Sequence, residues 1–168
     1  MTDIRPATLE DLKYIEHLSG KESFALGFVP KPAYEAAITG YKAGKRWSPV
    51  CNDRLYVAEE NGDQVGFVLA SFGTKARVTQ IAIQEDARLL ERGKVLLDAV
   101  EDEADTRGCE ITHAGCATDL PSNSFWAAMG YRNVGQRKGI HFESKRESKR
   151  DVNIWQKTHR QLWLPLED

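Results

Sequence analysis

A strand-like segment that leads through a polar turn into a long helix pattern constrains the fold of this chain more than any other feature. The segment is IAIQEDARLLERGKVLLDAVEDEA, residues 81–104. Its apolar residues recur on one helical stripe and predict a helix from about Asp86 to Thr106, with Gly108 as the stop signal. The first amides of a helix have no partners within the helix, and the helix dipole is positive there. A turn of this kind is therefore able to bind an anion.

The rest of the chain shows alternating strand and helix patterns. Apolar alternation on both sides of Asn61-Gly62 predicts a β-hairpin over residues 54–73, because Asn-Gly is a strong turn signal. The predicted order is β-α-α-β-β-β-α-β-α-β-β. The other strands are predicted at residues 4–7, 76–83, 109–117, about 131–136 and 152–158. The other helices are predicted at residues 8 to about 18, 32 to about 42 and 121–129. This order predicts a single α+β domain over residues 1–168, with a mixed sheet.

Length and composition restrict the class of protein. The 168 residues are 41% hydrophobic and 29% charged, which fits one domain with a sizeable core. No apolar run approaches the roughly 20 residues of a membrane span, and the start MTDIRPATLEDL lacks the apolar centre of a signal peptide. We therefore expect a cytoplasmic protein. Three cysteines without CxxC spacing and four scattered histidines predict neither a disulfide framework nor a metal site.

Charge is distributed unevenly along the chain. Residues 137–160 hold eight Lys/Arg and three Asp/Glu, a net charge of +5, which leaves −7 for the remainder of a chain whose net charge is −2. A basic segment on an acidic body indicates an anionic partner at that end, although a solvated charged hairpin explains the same pattern.

The turn that opens the long helix resembles a motif of the GNAT acetyltransferase superfamily, (Arg/Gln)-x-x-Gly-x-(Gly/Ala). Arg88 and Gly93 fit its ends, whereas Glu91 occupies the place of the middle glycine. The resemblance implies that backbone amides of this turn hold the pyrophosphate of acetyl-CoA, with Glu91 turned to solvent. An ordinary solvated first turn is the alternative. The implied cofactor-binding residues here are Arg88, Leu89, Leu90, Glu91, Arg92, Gly93 and Lys94. The cations Arg88, Arg92 and Lys94 are expected to offset the charge of Glu91.

A second segment, ATDLPSNSFWAAMGYRNVG (residues 117–135), resembles the C-terminal signature of the same family. The resemblance implies that Asn123 contacts the pantetheine arm. It also places Trp126 where many members have a tyrosine that protonates the departing thiolate. Because an indole N–H is no useful acid, Ser124 and Tyr131 are the candidate replacements. Tyr131 equally fits a core aromatic.

The resemblance covers nearly the whole chain and implies a mostly antiparallel, splayed sheet flanked by helices. The strand that contains Ile81, Ala82 and Ile83 is expected to separate from its neighbour at about residues 110–115. Acyl-pantetheine would then insert between the two strands and pair with free main-chain groups.

Transfer to an amine requires a group that removes its proton. His113 has the ordinary pKa closest to neutrality, and Asp119 ends a predicted strand beside the expected cleft. The alternatives are a satisfied core histidine and a helix cap. Cys116 is expected to be a small buried residue, not an acyl carrier. The remaining acids near the expected cleft are Glu59, Glu60 and Glu85.

These features predict an acyl-CoA-dependent N-acyltransferase that uses acetyl-CoA and transfers the acetyl group directly to an amine, with oxyanion support from a strand amide. A small amine or peptide is the first acceptor class. A nucleic-acid acceptor is an alternative, because Phe142, Trp155 and Trp163 accompany the basic hairpin; they equally fit core or dimer contacts. A non-catalytic GNAT-fold module is the other alternative, favoured by Glu91 and Trp126. The apolar-rich end IWQKTHRQLWLP and family habit predict a homodimer.

Overall fold

A seven-stranded sheet forms the centre of the computed structural model, which describes residues 1–88, 90–140 and 146–159, without the side chains of Leu90 and Glu147. Its spatial order is β1-β2-β3-β4-β5-β7-β6. Only β4 and β5 are parallel, so the predicted α+β fold with a mixed, mostly antiparallel sheet is confirmed. The strands are β1 (Asp3–Pro6), β2 (Asp53–Glu60), β3 (Asp63–Phe72), β4 (Ala76–Ile83), β5 (Ile111–Ala117), β6 (Arg132–Ile140) and β7 (Glu147–Thr158).

Helices cover both faces of the sheet. They are α1 (Leu12–Lys21), α2 (Ser23–Leu26), α3 (Lys31–Thr39), α4 (Leu90–Thr106) and α5 (Asn123–Ala128), with 3₁₀ turns at Leu9–Asp11 and Glu85–Ala87. Leu96, Leu97 and Val100 of α4 pack on one face of the sheet together with Trp126 of α5. On the other face α1 and α3 bury their own apolar cluster against β2 and β3. Every helix in the described part of the chain is too short or too polar to cross a membrane.

Local turn signals are confirmed where backbone geometry demands them. Asn61 and Gly62 adopt φ angles of 52° and 85°, as the tight β2–β3 turn requires. Gly108, with φ 76°, follows the end of α4 at Thr106, as predicted. The start of α4 differs from the prediction. The residues from Glu85 form a separate 3₁₀ turn, and Arg88 is extended (φ −70°, ψ 98°), so the helix begins at Leu90 instead of Asp86.

The last hairpin is longer than apolar alternation indicated. The prediction was 131–136 and 152–158, whereas β6 and β7 extend to residues 140 and 147. Three of the four added residues of β6 are exposed and two of the four are cations, so hydrophobic periodicity gives no signal there. A salt bridge between Lys138 and Asp151 joins the two strands instead. The two helices predicted at 32–42 and 121–129 are, by contrast, shorter in the structure than in the prediction. The short helix α2 was not predicted.

Candidate active site

The parallel strands β4 and β5 are paired over only part of their length. Residues 76–78 pair with residues 112–114, and beyond these pairs the strands separate. β4 continues beside β3, and β5 continues beside β7. A gap therefore opens between residues 79–83 and 115–117, and we call this gap the fork. The splay that the family resemblance implied between these strands is present.

The fork begins at an irregularity in β4. Along β3, Leu69 pairs with Gln80. The next residue, Ala70, pairs with Val78, so Thr79 is an extra residue, a β-bulge. A bulge bends its strand and increases the local twist. Because this one directly follows the last pair between β4 and β5, it accounts for the separation of the strands.

Main-chain groups of β4 face the fork. The N–H of Gln84 donates to the carbonyl of Val65 at 2.9 Å, and hydrogen-bonded pairs alternate along an antiparallel ladder. By this alternation the N–H and C=O groups of Ile81 and Ile83 point away from β3 and toward the fork. The side chain of Ala82, between them, packs in the core beneath α1 and α3.

A groove of about 1110 Å³ crosses the sheet face opposite α4 and α5 and reaches the fork. Residues of β5 and β7 form its floor, and its sides include the end of α2 and part of β6. Gly115 leaves room on this floor for two neighbouring side chains. A Cβ atom there would lie 3.2 Å from Arg137 Nη2 and 3.1 Å from Val152 Cγ1. Glycine thus lets the Arg137 guanidinium rest on β5 beside the fork.

The side of the groove near α2 is fixed by a buried polar network. The Tyr34 hydroxyl contacts the Ser19 hydroxyl at 2.8 Å and donates to Gln80 Oε1 at 2.6 Å. Gln80 Nε2 in turn donates to the carbonyl of Gly27 at 3.3 Å. These bonds connect α1, α3 and β4 to the chain that follows α2.

His113 lies on the groove floor, directly before the last residue of β5 that pairs with β4. Its side chain is half-buried, and burial lowers its pKa below the ordinary value. The positive charges of Arg77, Lys75 and Arg137 lower the pKa further. The imidazole is therefore largely neutral at pH 7 and able to accept a proton. Of the four predicted proton-transfer residues, His113 lines the groove and the other three do not.

Asp119 lies just beyond the end of β5 and forms an ion pair with Arg150, with 3.1 Å between Oδ1 and Nε. Arg150 Nη1 also donates to the carbonyl of Phe24 at 2.6 Å, and the guanidinium lies 4.1 Å from the Phe24 ring. Arg150 thereby joins α2 to β7 across one end of the groove. Asp119 is the counter-ion of Arg150 in this connection. It does not cap the next helix, because Ser122 is the N-cap residue of α5.

The cations around the start of α4 pair with carboxylates other than Glu91. The exposed Glu91 is the second residue of α4. Arg88 donates from Nε to the carbonyl of Ile83 at 3.2 Å. Leu89 lies outside the described residues, and only the backbone of Leu90 is described. The cations pair with other carboxylates: Arg88 with Glu22, Arg92 with Glu60, and Lys94 with Asp98.

Gly93 packs against the neighbouring helix. A Cβ atom at this position would lie 2.7 Å from Cε2 of Phe125 and 3.2 Å from its Cζ. The glycine therefore permits α4 to approach the aromatic ring of α5. This packing is a structural reason for glycine at the last position of the turn, whatever binds at the helix start.

Comparison with known proteins agrees with this geometry. The sequence model of the acetyltransferase (GNAT) family matches residues 24–131. The chain belongs to the GNAT acetyltransferase family. No curated protein sequence matches it.

Solved structures share the GNAT fold with this chain. The ribosomal-protein-S18-alanine N-acetyltransferase from Escherichia coli aligns with a TM-score of 0.72 at 16% identity, over 100% of both chains. A ribosomal-protein-alanine N-acetyltransferase from Brucella melitensis aligns with a TM-score of 0.71 at 19% identity, over 94% of this chain and 99% of its own. An N-acetyltransferase from Staphylococcus aureus gives 0.71 at 11%, over 94% and 97%. At these identities the likeness shows the fold alone.

Asn123, the GNAT position expected to contact pantetheine, is fully engaged within the protein. Its Nδ2 donates to the carbonyls of Ala117 at 2.7 Å and Leu120 at 2.8 Å. Its Oδ1 accepts from Trp155 Nε1 at 2.9 Å and from Asn153 Nδ2 at 3.0 Å. Asn123 thus connects the end of β5, the start of α5 and β7. Its contact with pantetheine stays a prediction.

The aromatic residues of the second GNAT motif lie in the core. Trp126 packs between Phe125 and Tyr131, with ring centroids 5.3 and 5.1 Å away. The buried Tyr131 hydroxyl donates to Glu101 Oε1 at 3.0 Å, and burial raises the pKa of Tyr131 above its ordinary value. Ser124 is exposed, and its hydroxyl donates to the carbonyl of Pro121 at 2.7 Å. These surroundings match the core-aromatic alternative for Tyr131.

Sequence reasoning missed several parts of the site. The bulge at Thr79 carries no composition signal. Arg77 stands at an outward position of an alternating strand, which could have identified it as a groove residue, and Arg137 was noticed only as part of a basic segment. Trp155 is buried and bonded to Asn123, so it offers no exposed face for stacking. Phe142 and Trp163 lie outside the described residues.

Proposed function

We propose that this GNAT protein is an acetyl-CoA-dependent N-acetyltransferase, formed by residues 1–168 as one domain. Acetyl-CoA would occupy the fork from the α4 side, and the amine acceptor would approach through the groove on the opposite face. The observation that carries the proposal is the fork itself, a gap between two strands with the main-chain groups of Ile81 and Ile83 directed into it.

The residues around the fork fit acetyl-CoA. The extended edge at Ile81 and Ile83 has the geometry to pair with a pantetheine arm through both main-chain groups of Ile81 and the N–H of Ile83, whose carbonyl accepts from Arg88. The first amides of α4 would hold the pyrophosphate. Bound acetyl-CoA supplies the acetyl group as an activated thioester. Glu91 opposes a phosphate by its charge, yet its exposed side chain leaves the helix amides accessible.

His113 is the proposed general base. It would take a proton from the acceptor amine as the amine nitrogen forms its bond to the acetyl carbon. The carbon–sulfur bond would break in the same transfer, with CoA leaving as its thiolate. The lowered pKa of His113 keeps the imidazole neutral for this task. The cations around it also disfavour the ammonium form of an acceptor, which favours the nucleophilic neutral amine.

The proposal is tested by measuring CoA release with a panel of amines and peptides at saturating acetyl-CoA. We expect turnover in the wild type, and in His113→Gln a kcat lower by roughly 100-fold, the lower end of general-base effects. Binding of acetyl-CoA to His113→Gln, measured by calorimetry, should match the wild type. The matched variant Asp119→Asn should lose much less activity.

A non-catalytic module is the second candidate, and one observation favours it. Neither Trp126 nor the core-bonded Tyr131 places an acid at the surface of the fork. Saturable acetyl-CoA binding without transfer to any amine would favour this candidate. Transfer that is lost in Asp119→Asn and retained in His113→Gln would instead assign the base to Asp119.

A further inference from the structure

Among the described residues, the groove that leads to the fork carries positive charge that no lining carboxylate compensates. Arg77, Arg137 and Lys149 line it, and within the described residues none of the three forms an ion pair. No Asp or Glu is among the described residues that line the groove. Many cations elsewhere on the described surface are paired, although some, such as Lys13, are not; the pairs include Arg5–Asp11, Arg88–Glu22, Arg92–Glu60, Lys94–Asp98, Arg107–Glu103, Lys138–Asp151 and Lys157–Glu101. The groove is thus a positive site on a chain whose net charge is −2.

This charge belongs to the acceptor side. The described lining of the groove includes residues of β4 to β7 and the end of α2, and none from α4 or α5. The start of α4, where the proposed function places the pyrophosphate, carries its own paired cations. Phosphates of acetyl-CoA at α4 would therefore leave Arg77, Arg137 and Lys149 without anionic partners.

The cations are spread along the groove. Arg77 is level with His113 in the pairing of β4 and β5. His113 pairs with Gln156 of β7, so Lys149 lies seven residues farther along that strand, about 23 Å at the usual rise per residue. A single phosphate cannot contact cations over this distance. An extended ligand of about six to seven residues can.

The groove lining also distinguishes between two classes of extended anion, single-stranded nucleic acid and acidic peptide. Grooves for single-stranded nucleic acid combine cations with aromatic side chains on which bases stack. Among the described residues of this groove there is no Phe, Tyr or Trp. Hydrogen-bonding and charged groups along an aromatic-free floor suit carboxylate side chains of a peptide.

We propose that the acceptor is the N-terminus of an acidic peptide, whose amine reaches the fork beside Gly115 while its carboxylates contact Arg77, Arg137 and Lys149. This inference rests on the proposed transfer function. It also resolves an electrostatic conflict. An amine that enters beside the Arg137 guanidinium is repelled in its ammonium form, and acidic residues that follow the amine supply the compensating attraction.

Binding is tested without catalysis, by fluorescence anisotropy of six-residue peptides labelled at the C-terminus, in the absence of acetyl-CoA. One peptide has Asp and Glu after a free N-terminal alanine, and its control replaces them by Asn and Gln. We expect the acidic peptide to bind at least about tenfold more tightly at 50 mM salt, with most of the difference lost at 300 mM. Equal affinities would overturn the proposal.

Variants connect this preference to the groove. Arg77→Gln, Arg137→Gln and Lys149→Gln should each reduce the ratio of acidic to neutral affinity by about threefold. Lys13→Gln, at an exposed position of α1, removes the same charge outside the groove and should leave the ratio unchanged. An equal effect of Lys13→Gln would show a general charge effect and overturn the proposal.

Two further results distinguish this inference from the proposed function. Acidic-peptide binding without acetyl transfer would support the groove assignment and contradict only the transferase. Tighter binding of a single-stranded oligonucleotide with the same number of charges, sensitive to the same groove variants, would replace the peptide by nucleic acid and overturn the acceptor proposed here.

Discussion

At the scale of single residues, the charges around His113 set the pH at which this histidine can act. Arg137→Gln removes one of the cations that lower the pKa of His113, so the pKa should rise toward the ordinary value of 6.5. The base form is the active one, so activity is lost as the pH falls through the folded-state pKa. The acid limb of the kcat–pH profile should therefore move to higher pH in Arg137→Gln. A limb that stays in place, or moves to lower pH, would contradict the assignment of the base to His113.

Glu91 is the second residue whose charge matters. Its exposed carboxylate stands at the start of α4, and the nearby cations pair elsewhere. Glu91→Gln removes a negative charge near the place proposed for the phosphates of acetyl-CoA. We therefore expect this variant to bind acetyl-CoA about threefold more tightly, or more. Calorimetry measures this change, with Asp105→Asn near the other end of the helix as the control for net charge. Weaker binding in Glu91→Gln would mean that Glu91 has a structural role.

At the scale of elements, the contact between α4 and α5 explains Gly93. Gly93→Ala should lower the free energy of unfolding by about 1–3 kcal/mol, because the added methyl group overlaps the Phe125 ring. Urea denaturation measures the loss. Phe125→Leu should restore part of it in the double variant, so the two changes should couple. Additive losses would show that the ring does not limit this position.

The hydrogen bonds of Asn123 hold the end of β5 against α5 and β7. Asn123→Ala removes two donated and two accepted hydrogen bonds, and leaves buried partners such as Trp155 Nε1 unpaired. We expect a loss of about 2–4 kcal/mol in the free energy of unfolding. If stability were unchanged while acetyl-CoA affinity fell, Asn123 would serve the pantetheine arm instead of the fold.

At the scale of the whole molecule, the sequence predicts the order of the strands and of every helix except α2, because apolar periodicity marks buried strands and helices. The same order predicts the mixed sheet. The sequence also predicts the β2–β3 turn because Asn-Gly suits positive φ angles. It does not predict the bulge at Thr79, since a bulge depends on register between strands. Nor does it predict the groove, because Arg77 and Arg137 lie 60 residues apart in the chain and meet only through strand order.

The central claim is that the fork receives acetyl-CoA, and amide hydrogen exchange with and without acetyl-CoA tests it most directly. The account predicts slower exchange at Ile81 and Ile83 and in the first turn of α4, with little change at Val78, which already lies beside β5. Saturable binding that leaves the exchange of Ile81 and Ile83 unchanged would contradict the account, because acetyl-CoA would then bind outside the fork.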